Sequence, residues 1–301
     1  MKFSIYAEDF KNITERAAVV AAKKSFNPIL ETVFIKATKH KVVVRGCNLE
    51  LFAEITMEDV TVMEEGCAII NAELLKRVYS MKGSITVASE NGLITVTSDK
   101  KRSEFWTNTN EAELYPEFPK FPTTPAFTVD KAELLETFST CRPFLGKNLS
   151  ESIFTGMNVV SNISEGRLYA MNGFYAIRHR SDKYAFHNVF NIIIPEIGKE
   201  LAKIANNGDK AKNLKAYIDD KHICYVGGDF TVCSRLIEGN YCNVEQYFNT
   251  IPLSEFEINA GEVCDIAKEY KEVLKLKKGI RPMFFAAVSY THLTLPTTPY
   301  V

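Results

Sequence analysis

The chain repeats itself. Displaced by 124 positions, its apolar pattern returns without a gap: Phe3 and Ile5 fall on Phe127 and Val129, Leu30 on Phe154, Val33 on Met157, Asn48 on Asn172, and Ile69-Ile70 on Ile193-Ile194. A further copy begins at Phe256-Glu257-Ile258, 129 residues after Phe127-Thr128-Val129. Solenoid units recur every ~20–50 residues, so a period this long marks copied domains. A chain of copied domains works through its overall shape, which points to an architectural role before any motif is read.

Composition narrows the classes. With 46% hydrophobic and 24% charged residues, this is the profile of an ordinary globular protein. No apolar run approaches the ~20 residues of a membrane helix, so no membrane partner is expected. The start, Met1-Lys2-Phe3-Ser4-Ile5-Tyr6, soon meets Glu8 and Asp9, unlike a signal peptide; the expected compartment is the cytoplasm. Seven cysteines, at 47, 67, 141, 224, 233, 242 and 264, include no CxxC pair. Their odd number fits no disulfide framework, and they are expected as small buried hydrophobes in a reducing compartment. The net charge of −1 excludes a body coated in positive charge. It leaves room for one basic face, because local fields attract phosphates.

Each repeat follows one plan: a short strand, a helix, strands, a second helix and more strands. The strand Lys2–Tyr6 precedes a helix over 7–24, with Phe10, Ile13, Ala17, Val20 and Ala21 at helical spacing. Glu8 and Asp9 suit its first turn, Lys23 and Lys24 its last. The counterparts are a strand over 126–129, a helix over 131–145 that Pro143 ends or kinks, and a third-copy helix over 261–278. Strands follow at 32–37, 41–44 and 48–55, with another at 68–70. A second helix runs from Asn71 to Met81, and a hairpin turns at Asn91-Gly92. Prolines 116, 119, 122 and 125 mark the first boundary, and Pro252 marks the second. The domains are therefore placed at 1–120 and 126–250, with the start of a third at 254–285. Residues 286–301 hold no Lys, Arg, Asp or Glu and read as a cloning artefact rather than native sequence. The fold class is α+β with antiparallel sheets.

Motifs of catalysis are missing. Gly146-Lys147-Asn148 lacks the upstream glycine and following Ser/Thr of a phosphate cradle, and there is no GxSxG or HExxH. The five histidines are scattered, and Gly227-Gly228-Asp229 reads as a flexible turn. No catalytic residue, metal or cofactor is expected.

The segment 228–241, Gly-Asp-Phe-Thr-Val-Cys-Ser-Arg-Leu-Ile-Glu-Gly-Asn-Tyr, strongly resembles the end of the middle domain of bacterial DNA polymerase III β subunits, the sliding clamps. Asn27-Pro28-Ile29-Leu30, Asn48-Leu49-Glu50 and Leu114-Tyr115-Pro116-Glu117-Phe118-Pro119 align as well. The resemblance covers residue 1 to about residue 285. It implies repeated DNA-clamp domains, sheets outside and helices lining a central hole, with two complete repeats and a partial third. Two subunits close head to tail around duplex DNA. Such a protein is no enzyme. It is a non-catalytic subunit of a DNA-directed DNA polymerase holoenzyme, a nucleotidyltransferase. Its partners are duplex DNA irrespective of sequence, a second copy of itself, the replicative polymerase, the clamp loader and other proteins with clamp-binding motifs. With the third repeat cut short, the polypeptide as given is expected not to close a ring. A stable dimer retained on circular DNA and lost on linearisation would contradict that expectation.

The resemblance also assigns sites. Basic residues of the repeated helices face the hole: Lys11, Arg16, Lys23 and Lys24, then Arg142 and Lys147, then Lys268, Lys271 and Lys275. Lys76, Arg77, Lys199 and Lys203 lie on the second helices. Lys24 aligns with a DNA-contacting position of the family. The competing reading of each is a solvated helix face. The pocket for clamp-binding peptides maps to Phe154, Met171, Gly173, Phe174, Tyr175, Ala176, Cys242, Gln246 and Tyr247. Here the family's Asp-Gly-His-Arg-Leu is Asn172-Gly173-Phe174-Tyr175-Ala176, and its proline is Cys242, so peptide preference is expected to differ. Phe174 and Tyr175 are otherwise junction-packing residues. Two rivals stand beside the clamp: a clamp-like paralogue that binds peptides without encircling DNA, and an enzyme with a site in a domain cleft.

Overall fold

The computed structural model describes residues 1–107, 109–147, 153–162, 165–206, 211–249, 251, 257 and 259–275. The expected artefact at 286–301 lies outside them. The first repeat comprises β1 (Lys2–Tyr6), α1 (Ala7–Ala18), β2 (Thr32–Thr38), β3 (Lys41–Cys47), β4 (Leu51–Met57), β5 (Thr61–Glu64), β6 (Gly66–Asn71), α2 (Ala72–Leu75), β7 (Ser84–Glu90), β8 (Leu93–Thr97) and β9 (Arg102–Trp106). The second repeats it element for element: β10 (Phe127–Asp130), α3 (Lys131–Cys141), β11 (Gly156–Asn162), β12 (Gly166–Met171), β13 (Ala176–His179), β14 (Tyr184–Phe186), β15 (Val189–Pro195), α4 (Gly198–Asn206), β16 (Asn213–Ile218), β17 (His222–Val226) and β18 (Phe230–Arg235). These form one compact unit, residues 1–244; α5 (Glu245–Phe248) and α6 (Ala260–Lys275) belong to a second.

Strand order reproduces the repeat. β5-β1-β7-β8-β9 matches β14-β10-β16-β17-β18, and β4-β3-β2-β6 matches β13-β12-β11-β15. The five-stranded sheet of the second repeat joins the four-stranded sheet of the first through β18 and β4, paired from Phe230↔Ile55 to Ser234↔Leu51. One nine-stranded antiparallel sheet thus crosses the boundary. Alternation along the strands sorts its residues onto two faces. Val33, Ile35, Ala53, Ile55, Phe230 and Val232 join the main core with Phe10, Ile13 and Ala17 of α1. Phe34, Phe52, Cys224 and Cys233 pack on the opposite side against Ala112, Tyr115, Phe118 and Phe121 of the inter-repeat segment. Each fully buried large apolar side chain contributes ~1.5–3 kcal/mol, so burial on both faces anchors the joint.

Local chemistry explains most element ends. Asp130 caps α3, its carboxylate accepting from the Ala132 and Glu133 amides at 2.9 and 3.3 Å, and Pro143 falls in the 3-10 turn after the helix. The Asn91-Gly92 hairpin forms as expected, both residues at positive φ, 50° and 78°. Three expectations change. The first helix stops at Ala18 rather than Lys24. The amides of Val19, Val20 and Ala21 bond only three residues back, and β-branched Val19 and Val20 suit a helix poorly. The second helix is α-helical only over Ala72–Leu75 and continues as tight turns to Met81. β5, mostly exposed, lies outside the strands expected from sequence.

The cysteine expectation is corrected as well. Cys224 and Cys233 face each other across β17 and β18, Cα atoms 4.0 Å apart, and form a buried disulfide. Their pairing depends on hairpin register, which the spacing in the chain does not express. Cys47 and Cys141 are buried free thiols, pushed up to about 11 and about 12 by burial.

One polar cluster interrupts the second core. Where the first repeat has Ile13 and Ile55, the second has Thr137 and His179. Glu133 on α3 meets His179 Nε2 at 3.2 Å and Lys183 Nζ at 3.2 Å, and the Tyr184 hydroxyl donates to Thr137 Oγ1 at 3.0 Å. Burial opposes the Glu133 charge, but hydrogen bonds from Ser181, Lys183 and His179 outweigh it and hold the carboxyl below its usual range. A depressed carboxylate stabilises the fold above its unfolded pKa of ~4.3 and loses that contribution as pH falls through the folded value. Glu133→Gln is therefore expected to flatten the decline in stability below about pH 5, read as urea midpoints across pH; wild type and variant falling in parallel would contradict it.

Candidate nucleic-acid interface and peptide pocket

The basic residues singled out from sequence divide into three groups. Lys23, Lys24, Arg77, Lys147 and Lys199 are exposed. Lys23, Lys76 and Lys203 line one open groove between the α1 end, α2 and α4, together with Glu15, Glu31 and Glu73. Three elements from two repeats thus bring lysines to one surface, where acidic neighbours temper their field. Tyr79 also lines this groove, its hydroxyl pushed up to about 12 chiefly by burial. Lys23 and Lys24 stand in the loop after α1 rather than in its last turn. The second group is partly engaged. Lys11 is half-buried, 3.9 Å from Glu15 and 5.9 Å over the Tyr79 ring, and Arg142 is held by Glu196 at 2.7 Å.

Arg16 forms the third group and is a correction. It is 1% exposed, with no surface to offer to DNA. Its two terminal nitrogens grip the Asp229 carboxylate at 2.5 and 2.6 Å, and Nε donates to the Ile204 carbonyl at 2.7 Å. One side chain therefore ties α1 to the last turn of α4 and to the β17–β18 turn. Such bidentate pairs are the strong form of arginine–carboxylate contact, and they explain Asp229, read from sequence as part of a flexible turn. On α6, Lys268 pairs with Asp265 at 2.8 Å; the side chains of Lys271 and Lys275 lie outside the described residues.

At the expected pocket, the first unit assembles Phe154, Met171 and Cys242 around a residue that sequence reading missed, Tyr241. The Tyr241 and Phe154 rings meet edge-on at 5.7 Å, and the Met171 amide donates to the Tyr241 hydroxyl at 3.0 Å. Cys242 Sγ lies 2.9 Å from Met171 Sδ. Burial pushes the Tyr241 hydroxyl up to about 12. The turn from Asn172 is built by its own side chain, which accepts from the Phe174 and Tyr175 amides at 3.0 and 2.9 Å, with Gly173 at φ 86°. Within the first unit this presents Phe174 and Tyr175 outward, 81% and 53% exposed. Ala176 opens β13. Gln246 and Tyr247 belong to α5 in the second unit.

Among the described residues no group of three or more His, Cys, Asp or Glu could hold a metal, and no helix is long and apolar enough to cross a membrane.

Comparison with known proteins agrees with this architecture. Residues 1–119 match the family model of the DNA polymerase III beta subunit, N-terminal domain. A beta sliding clamp of Mycoplasma capricolum is 24% identical over 260 residues, 83% of this chain and 68% of the relative. One of Staphylococcus aureus is 22% identical over 272 residues, covering 87% and 71%. Among solved structures, the beta subunit from DNA polymerase of Streptococcus pyogenes superposes with a TM-score of 0.79 at 18% identity, over 92% of this chain and 76% of that one. The DNA polymerase sliding clamp from Bacillus subtilis gives 0.75 at 20%, over 84% and 68%. The matched first repeat, the curated relatives spanning both repeats and the shared fold converge: residues 1–119 match the DNA polymerase III β subunit family, and the chain as a whole is similar in sequence and fold to the sliding clamps.

Proposed function

We propose that this chain is a DNA sliding clamp, a non-catalytic processivity factor that encircles duplex DNA and tethers a replicative polymerase. It acts through shape: phosphate contacts carry no sequence information and permit sliding. The finer reading is a head-to-tail ring of two copies of the full-length protein, which requires a complete third repeat. They would serve the polymerase holoenzyme, the clamp loader and other peptide-bearing partners in the cytoplasm, through domains at 1–120, 126–250 and from 254. Candidate contacts to DNA are Lys24, Lys23, Arg77, Lys147 and Lys199.

One observation carries the ring. The sheet crosses the repeat boundary by joining β18 to β4. β9 occupies the place of β18 in its own repeat, at the edge of its sheet, and β13 occupies the place of β4. A β9-type edge and a β4-type edge are therefore complementary, and heterologous contacts of this kind close rings when the rotation allows.

Trp106, the single tryptophan of the chain, sits on β9 and is 82% exposed. Thr107 and Ser98 bond across the β8–β9 ladder, so antiparallel alternation turns the Glu104 amide outward. Glu104→Pro should leave that ladder intact, abolish self-association and hold Trp106 emission at its solvent-exposed wavelength. Concentration-dependent sedimentation with a blue shift of Trp106 in the wild type supports the reading. Equal behaviour of the two proteins would overturn it. Binding to duplexes of unrelated sequence should be equal, and should fall with salt at a slope of ~0.9 per phosphate neutralised.

A further inference from the structure

Among the described residues, Phe26 shows the greatest exposure of the large apolar side chains. Its exposure is 111% of the reference, in the loop Lys23-Lys24-Ser25-Phe26-Asn27 between α1 and β2. The loop is not loose. Its base is closed by the Ala22 amide on the Leu30 carbonyl at 2.8 Å. The Ser25 amide donates to Glu31 Oε1 at 2.9 Å, the Asn27 amide to Ser25 Oγ at 3.1 Å, and the Ile29 amide to Asn27 Oδ1 at 3.2 Å. Pro28 further limits its backbone freedom. A hydrogen-bonded loop therefore holds a phenyl ring in water two and three residues from the exposed Lys24 and Lys23, and Lys23 of that loop lines a groove with Lys76 and Lys203.

We infer that Phe26 is a base-stacking element that, with Lys23 and Lys24, binds unpaired DNA bases next to duplex. The inference rests on the clamp reading and adds a ligand to it. Aromatic rings beside a basic track are how proteins hold single strands, because every base has a stacking face and every nucleotide a phosphate. An intact duplex hides those faces, and opening a step costs a few kcal/mol. The occupant that fits this loop is thus the single-stranded side of a primer–template junction. An acidic protein surface would satisfy the lysines, but it would give the phenyl ring no preference for open bases.

The test uses the full chain and two labelled DNAs at low salt: a blunt duplex, and the same duplex with an oligothymidine overhang. Being fully exposed, Phe26 is replaceable without loss of fold, checked by an unchanged urea midpoint. Phe26→Ala is expected to weaken binding to the overhang DNA about 10-fold and to leave the blunt duplex unchanged. Its salt slope on either DNA should match wild type, and Phe26→Trp should restore binding, its new indole quenched by the overhang. Lys24→Ala should instead lower the slope on both DNAs by ~0.7–0.9. Equal affinity of wild type and Phe26→Ala for the overhang overturns the inference and leaves a protein partner as the occupant of the ring. Equal weakening on both DNAs also overturns it. Wild type without salt-dependent binding to either DNA would bring down the clamp reading as well.

Discussion

Replacing Arg16 by alanine should cost about 3–5 kcal/mol of folding stability, because it leaves the Asp229 carboxylate at a buried junction without its partner. The loss is specific in kind. Arg16 is 1% exposed, Asp229 keeps about a third of its side-chain surface, and the bidentate pair is backed by the Ile204 carbonyl and the Phe230 ring 5.8 Å from the guanidinium carbon. Removing the arginine strips a carbonyl in the last turn of α4 of its donor and opens a void beneath α1. Asp229→Asn should cost less, since the amide still accepts one hydrogen bond. The double variant Arg16→Met with Asp229→Asn should recover much of the loss, because a buried ion pair exchanged for packed neutral groups is often near neutral. Urea unfolding of the three variants checks this. A loss below about 1 kcal/mol for Arg16→Ala, the range of an exposed pair, would show that the residue is a surface cation after all. Because the pair spans both repeats, its loss should also loosen the angle between them, visible as faster hydrogen exchange at the Thr56 and Arg235 amides, which bond across β4 and β18.

Gly46→Ala should be nearly as damaging, at about 3 kcal/mol, the upper end for overpacking. A Cβ there would stand 1.9 Å from the Ala17 carbonyl oxygen and 2.9 Å from Val20 Cγ2. The obstacle is helix backbone, which yields only if α1 lifts from β3. The aligned residue of the second repeat is Ala170, buried and tolerated, so the close approach is a property of α1 alone. Ala170→Gly should accordingly cost only about 1 kcal/mol, the usual penalty of glycine in a regular element. Lifting α1 also displaces Arg16 and the Lys23–Phe26 loop, so Gly46→Ala should weaken DNA binding together with stability. A variant as stable as wild type would mean that α1 sits farther from the sheet than these distances state.

Periodicity was enough to expose the repeat, the order of its elements and the Asn91-Gly92 hairpin, because each reflects neighbours a few residues apart. The clamp resemblance rested on a run of adjacent residues around Ser234-Arg235-Leu236. The site was less legible. A basic residue on a helix reads the same whether solvated or paired, so nothing in the spacing marked Arg16 as buried until Asp229, 213 residues away, was in place. Phe174 and Phe26 posed the converse problem: composition does not tell an aromatic that packs from one held in water.

The amino-acid sequence alone determined that this protein is built of copied α+β domains, since hydrophobic period and turn chemistry are local and survive without long-range contacts, and a run of adjacent residues carried the resemblance to the clamps. Only the tertiary structure decided that β18 joins β4 into one sheet, that Cys224 meets Cys233, that Arg16 bolts the repeats together and that Phe26 faces solvent. Those outcomes depend on register and on contacts between distant segments, whose energies exist only once the chain has closed on itself.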